Sequence, residues 1–70
     1  MSWDKAKQFG VVKFRKNIVN LYYTKDNYET ITLPSELLVK NAMWTGDGVI
    51  IYLENGKVRL YKSKSSYTSI

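Results

Sequence analysis

Residues 44–64, WTGDGVIIYLENGKVRLYKSK, constrain the fold of this chain more than any other stretch. They hold two hairpin signals, Asp47-Gly48 and Asn55-Gly56, each set between segments that alternate apolar and polar residues. Asn-Gly and Asp-Gly are the preferred fillers of two-residue type I′ turns, because both central positions need φ > 0. The stretch therefore reads as a three-stranded antiparallel meander. A two-residue turn at Asn55-Gly56 pairs Leu53 with Val58, Tyr52 with Arg59, Ile51 with Leu60 and Ile50 with Tyr61. A two-residue turn at Asp47-Gly48 pairs Trp44 with Ile51 and Ala42 with Leu53. Both registers put Ala42, Trp44, Val49, Ile51, Leu53, Val58 and Leu60 on one face, the expected core. The other face then carries Ile50, Tyr52, Lys57, Arg59, Tyr61 and Ser63.

The first half of the chain repeats the theme. Residues 9–15 and 18–24 read as two strands around a tight Lys16-Asn17 turn, which pairs Arg15 with Ile18, Phe14 with Val19 and Val12 with Leu21. Val12, Phe14, Val19, Leu21 and Tyr23 share the expected core face; Val11, Lys13, Arg15, Asn20 and Tyr22 share the opposite one. After the polar cluster Lys25-Asp26-Asn27, residues 28–33 form a third strand, with Ile31 and Leu33 inward and Thr30 and Thr32 outward beside Tyr28. Pro34 ends that strand, and Pro34-Ser35-Glu36 reads as a helix start, placing one short helical turn near residues 35–40. A single strand over 36–45 is disfavoured, because strict alternation would put Lys40 on the face of Ala42 and Trp44.

The ends are read as two alternatives each. Residues 1–8 form either a short helix, with Ser2 as N-cap and Trp3 as anchor, or a frayed lead-in. Residues 64–70 form either a mobile basic tail or a last edge strand docked by Tyr67 and Ile70. The expected fold is all-β, one small domain over residues 1–70, with the meander bent into an SH3-like barrel or a curled sheet. At 70 residues its core is thin.

Composition narrows the chemistry. The chain has no cysteine and no histidine, which excludes disulfides, thiolate zinc sites and every Cys- or His-based nucleophile. No Gly-rich phosphate loop occurs, and most of the six acidic residues fall in turns or at their flanks. The chain is therefore expected to be no enzyme and to need no cofactor and no metal. No apolar run is long enough for a membrane helix, and the N-terminus lacks a signal-peptide pattern, so a cytoplasmic protein without a membrane partner is expected.

Eleven Lys+Arg against six Asp+Glu give a net charge of +5. With ten aromatic residues, six of them Tyr, this points to an anionic partner, foremost nucleic acid: cations neutralise phosphates while tyrosine rings stack on bases. The expected anion-binding residues are Lys13, Arg15, Tyr22, Tyr52, Lys57, Arg59 and Tyr61, with Tyr52 and Arg59 read as a stacked pair. The bland account is solubility and strand-edge protection by lysines. The competing reading takes Val11, Ile18 and Ile50, apolar residues on outer faces, as an interface with a protein partner or a second copy. That protein would be a stoichiometric subunit, adaptor or inhibitor of the phage or mobile-element accessory type. A third reading is a homo-oligomer that binds a small nucleotide-like anion.

Overall fold

In a computed structural model, residues 3–46 and 48–70 are described; the expected Ser2 cap and Asp47 turn residue lie outside them. Helix α1 (Asp4–Phe9) is followed by seven strands: β1 (Val12–Arg15), β2 (Ile18–Tyr22), β3 (Tyr28–Thr32), β4 (Val39–Trp44), β5 (Val49–Leu53), β6 (Val58–Ser63) and β7 (Ser66–Ser69). They form two antiparallel sheets, β1-β2-β3 and β4-β5-β6-β7. The fold is all-β, and neither sheet closes on itself.

The β1–β2 hairpin has the expected register, from Arg15 opposite Ile18 to Val12 opposite Leu21. Its turn is docked. Lys16, at φ 54°, presents its carbonyl to the Val39 N–H at 2.7 Å. The Asn17 carbonyl accepts the Leu33 N–H at 2.9 Å, and the Asn17 amide donates to the Leu33 carbonyl at 2.6 Å. These bonds tie the first hairpin to the connection between the sheets, satisfying backbone groups that no ladder reaches. That connection is a single turn over residues 34–37, closed by the Leu37 N–H on the Pro34 carbonyl at 2.9 Å, in place of the helical turn expected near 35–40.

Residues 39–44 form a strand after all. A register shift between Val39 and Asn41 is the reason. The extra residue leaves Lys40 and Asn41 both exposed while Val39 and Ala42 are buried, so the objection from strict alternation disappears. Trp44 pairs with Val49 and Ala42 with Ile51, two residues away from the expected pairing. A two-residue displacement keeps the parity, and these side chains stay on the core side.

At Asn55-Gly56 the displacement is one residue, and its consequence is larger. Gly56 has φ 89° but Asn55 does not take a positive φ, so the turn is not type I′. The Gly56 N–H donates to the Leu53 carbonyl at 3.0 Å and the Leu53 N–H to the Lys57 carbonyl at 2.9 Å. This is a type I turn followed by a left-handed glycine, with a three-residue loop Glu54-Asn55-Gly56. Tyr52 now pairs with Val58, Ile51 with Arg59, Ile50 with Leu60 and Val49 with Tyr61. Every β6 side chain changes face: Val58 and Leu60 leave the core side, while Arg59 and Tyr61 enter it.

The core draws on both sheets: Val19, Leu21, Ile31 and Leu33 from the first half, and Val39, Ala42, Val49, Ile51, Leu53 and Tyr61 from the second. Phe14 lies on the core side of β1 by register, yet it is 40% exposed because β1 is an edge strand. Helix α1 covers one margin. Ala6 is fully buried, Gly10 ends the helix at φ 77°, and the Trp3 ring meets Trp44 edge-on with centroids 5.8 Å apart. The 64–70 segment is ordered as edge strand β7, with the Ile70 N–H on the Val58 carbonyl at 3.0 Å.

Among the described residues no helix is long and apolar enough to cross a membrane. Nor does any group of three or more His, Cys, Asp or Glu residues in them gather to hold a metal.

Candidate functional site

Three rows of side chains cross the outer face of the three-stranded sheet. Because Val19, Leu21 and Ile31 point into the core, their neighbours along each strand point away from it. The register sets Lys13 beside Asn20 and Thr30, and Arg15 beside Ile18 and Thr32. The third row is Val11, Tyr22 and Tyr28, with the Tyr22 N–H donating to the Val11 carbonyl at 3.1 Å.

The rows are cross-linked by short-range contacts. The Lys13 ammonium lies 5.4 Å from the Tyr22 ring centroid, inside cation–π range. Tyr22 and Tyr28 have centroids 5.0 Å apart at 39°. The Thr30 hydroxyl donates to Asn20 Oδ1 at 2.9 Å. None of the positions in these rows is acidic. Glu29, the one carboxylate on these strands, faces the other way and accepts hydrogen bonds from Trp3 Nε1 and the Tyr23 hydroxyl. The face therefore presents two cations, two tyrosine rings and neutral hydrogen-bonding groups, with Tyr28 52% and Ile18 38% exposed.

The expected anion-binding residues do not form one site. Lys13, Arg15 and Tyr22 share the face just described. Tyr52 lies on the outer face of the four-stranded sheet, between Asn41 and Val58. Tyr61 is buried in the core at 4% exposure, and Arg59 points to the same side, half-buried. The expected Tyr52–Arg59 stack is absent. Arg59 instead lies 4.0 Å over the Tyr67 ring and donates from Nη1 to the Tyr61 hydroxyl at 3.2 Å. Lys57 is exposed beside the β5–β6 turn. The apolar residues are split too: Val11 and Ile18 lie on the three-stranded sheet and Ile50 on the four-stranded one, next to Met43 and Leu60.

One contributor is absent from the expected anion-binding residues. Tyr28 was placed outward but not joined to Tyr22, although Tyr22 and Tyr28 are the last pair of the β2–β3 register. Tyr67, one of the two residues expected to dock residues 64–70 as an edge strand, pairs with Tyr61 in β7 and lies over Arg59.

The Tyr23 hydroxyl sits 3.3 Å from Glu29 Oε2. Burial, then the Glu29 charge, then this hydrogen bond raise its pKa above the usual 10.0. Protonated Tyr23 therefore stabilises the fold fully below the unfolded-state value, and the contribution is lost as pH rises from there through the folded-state value. Wild-type protein is expected to lose stability above about pH 10 more steeply than Tyr23→Phe, read by denaturant melts across that range.

Compared with known protein families, with curated proteins and with solved structures, the chain gives no match.

Proposed function

We propose that the protein is a non-catalytic module that binds single-stranded nucleic acid on the outer face of β1-β2-β3. The observation that carries this reading is the carboxylate-free grouping of Lys13, Arg15, Tyr22 and Tyr28 on adjacent strands. Lysine and arginine displace counterions from phosphates, and exposed rings offer unpaired bases a stacking surface without regard to sequence. Duplex reading is less well served, since α1 has only six residues and cannot fill a major groove. The net charge of +5 favours encounter with a polyanion. In this reading the two open sheets are an incomplete SH3-like barrel, and the protein works in the cytoplasm without a cofactor.

Fluorescence polarisation with a single-stranded oligonucleotide over a salt series tests it. Each neutralised phosphate contributes about 0.7 to the slope of log K against log salt. Lys13→Ala with Arg15→Ala is expected to flatten that slope by about 1.4, whereas Lys57→Ala leaves it unchanged. An unaltered slope in the double variant contradicts the assignment.

A second reading is favoured by the outer face of the four-stranded sheet. The one-residue register change sets Met43, Ile50, Leu60 and Thr68 in one row and Asn41, Tyr52 and Val58 in the next, with no charged side chain in either. Apolar faces of this kind serve protein contacts. Here the module is an interaction subunit or a homo-oligomer, its association tolerates salt, and Leu60→Glu abolishes it in sedimentation.

A further inference from the structure

An open depression of about 360 Å³ lies between the β5–β6 turn and the end of β7. Leu37, Leu53, Val58 and Ile70 supply its apolar lining; Lys57 and Arg59, with Asn55 and Ser69, supply its polar lining. No acidic side chain lines it. Its volume falls at the lower end of the range of small-ligand sites, which combine an apolar wall with a few convergent polar groups.

Arg59 is what makes the depression chemically particular. The turn at Gly56 rotates it onto the core side of β6, opposite Ile51. The Tyr67 ring lies against its guanidinium at 4.0 Å, and the Tyr61 hydroxyl takes one N–H at 3.2 Å. These contacts fix the plane of the fork and leave most of its five N–H donors unused. No acidic side chain pairs with Arg59 among the described residues. A guanidinium held at the rim of an apolar core without an acidic side chain against it is poised for a planar anion, which it meets with two parallel hydrogen bonds.

We infer that this depression binds a carboxylate carried on an apolar body. Arg59 takes the carboxylate, Lys57 adds a second positive charge at the rim, and Leu37 and Ile70 cover the aliphatic or aromatic part. The same chemistry is offered by a free carboxylic acid and by the C-terminus of an apolar peptide. The site shares no residue with the proposed nucleic-acid face, so either proposal can fail without the other.

The test is a 1H–15N NMR titration of the whole chain with octanoate, octanol and acetate. Octanoate is expected to saturate with Kd below about 1 mM and to shift the Arg59, Ser69 and Ile70 signals. Octanol lacks the charge and acetate the body, so each binds at least about tenfold more weakly, the first through loss of a charge-assisted hydrogen bond and the second through loss of buried methylenes. Arg59→Met loses at least about tenfold, and Arg59→Lys, which keeps the charge without the fork, falls in between. The octanoate–octanol comparison needs no variant, so it stands even if Arg59→Met disturbs β6. N-acetyl-Val-Leu as acid and as amide distinguishes the sources: an acid tighter than octanoate, with an inert amide, supports a peptide C-terminus, and the reverse order supports a free acid. Equal affinity for octanoate and octanol, no saturable shift, or shifts confined to Met43, Ile50 and Leu60 would overturn the inference.

Discussion

Gly48→Ala is expected to destabilise the protein by about 3 kcal/mol or more. A Cβ at Gly48 would stand 2.0 Å from the Tyr61 carbonyl oxygen, 3.0 Å from its carbon and 3.2 Å from Lys62 Cα. All three are backbone atoms of β6, so no side chain can turn aside. Relief requires β6 to move away from the start of β5, which breaks the Val49–Tyr61 pair and lifts Tyr61 from the core. A domain of 70 residues has a total stability of roughly 4–10 kcal/mol, so this one methyl group consumes a large share of it. Gly46→Ala is the internal control. A Cβ there meets nothing within 4 Å, and its effect should stay within about 0.5 kcal/mol. Urea melts of the two variants and the wild type make the comparison; similar midpoints for both would contradict the close approach of β6 to Gly48.

The second large effect concerns binding. Replacing Tyr22 and Tyr28 together by alanine is expected to weaken binding of a single-stranded oligonucleotide at least about 30-fold, since each base–ring stack contributes on the order of 1–3 kcal/mol. The two rings lie 5.0 Å apart and lean on each other, so each single variant also disturbs its neighbour's orientation. Lys13 rests against Tyr22 and loses its cation–π partner in the same change. Tyr52→Ala, on the other sheet, should leave affinity unchanged. Equal losses in the two variants would mean that the three-stranded sheet is not the binding face.

The register of the first hairpin was legible because Lys16-Asn17 closes in the two-residue loop that its flanking alternation implies, and Lys13, Arg15 and Tyr22 share the outer face, although the strand read from residue 9 begins at Val12, with Phe9 in α1, and Phe14 and Tyr23 lie outside the core. The second hairpin was not, because Asn-Gly suits two turns. In a type I′ turn both residues take φ > 0; in a type I turn with a following bulge only the glycine does. The two differ by one residue in length, and alternation favoured the shorter because it buried Val58 and Leu60 in place of Arg59 and Tyr61. Tyr61 can nevertheless be buried, since the Arg59 guanidinium donates to its hydroxyl. The bulge in β4 escaped notice for a related reason: a strand that looks wrong by strict alternation becomes right when one residue is unpaired, and no local residue type announces it. Hence Lys57, Arg59 and Tyr61, grouped with the cationic face by sequence, belong elsewhere.

A 1H–15N NMR titration with an oligothymidylate of about eight nucleotides tests the proposed face most directly, a length within the usual site size for small single-strand binders. The account predicts shifts at Lys13, Asn20, Tyr22, Tyr28 and Thr30 that fade as salt is raised. Shifts centred on Lys57 and Arg59, or on Met43, Ile50 and Leu60, or no shifts at low salt, would contradict it.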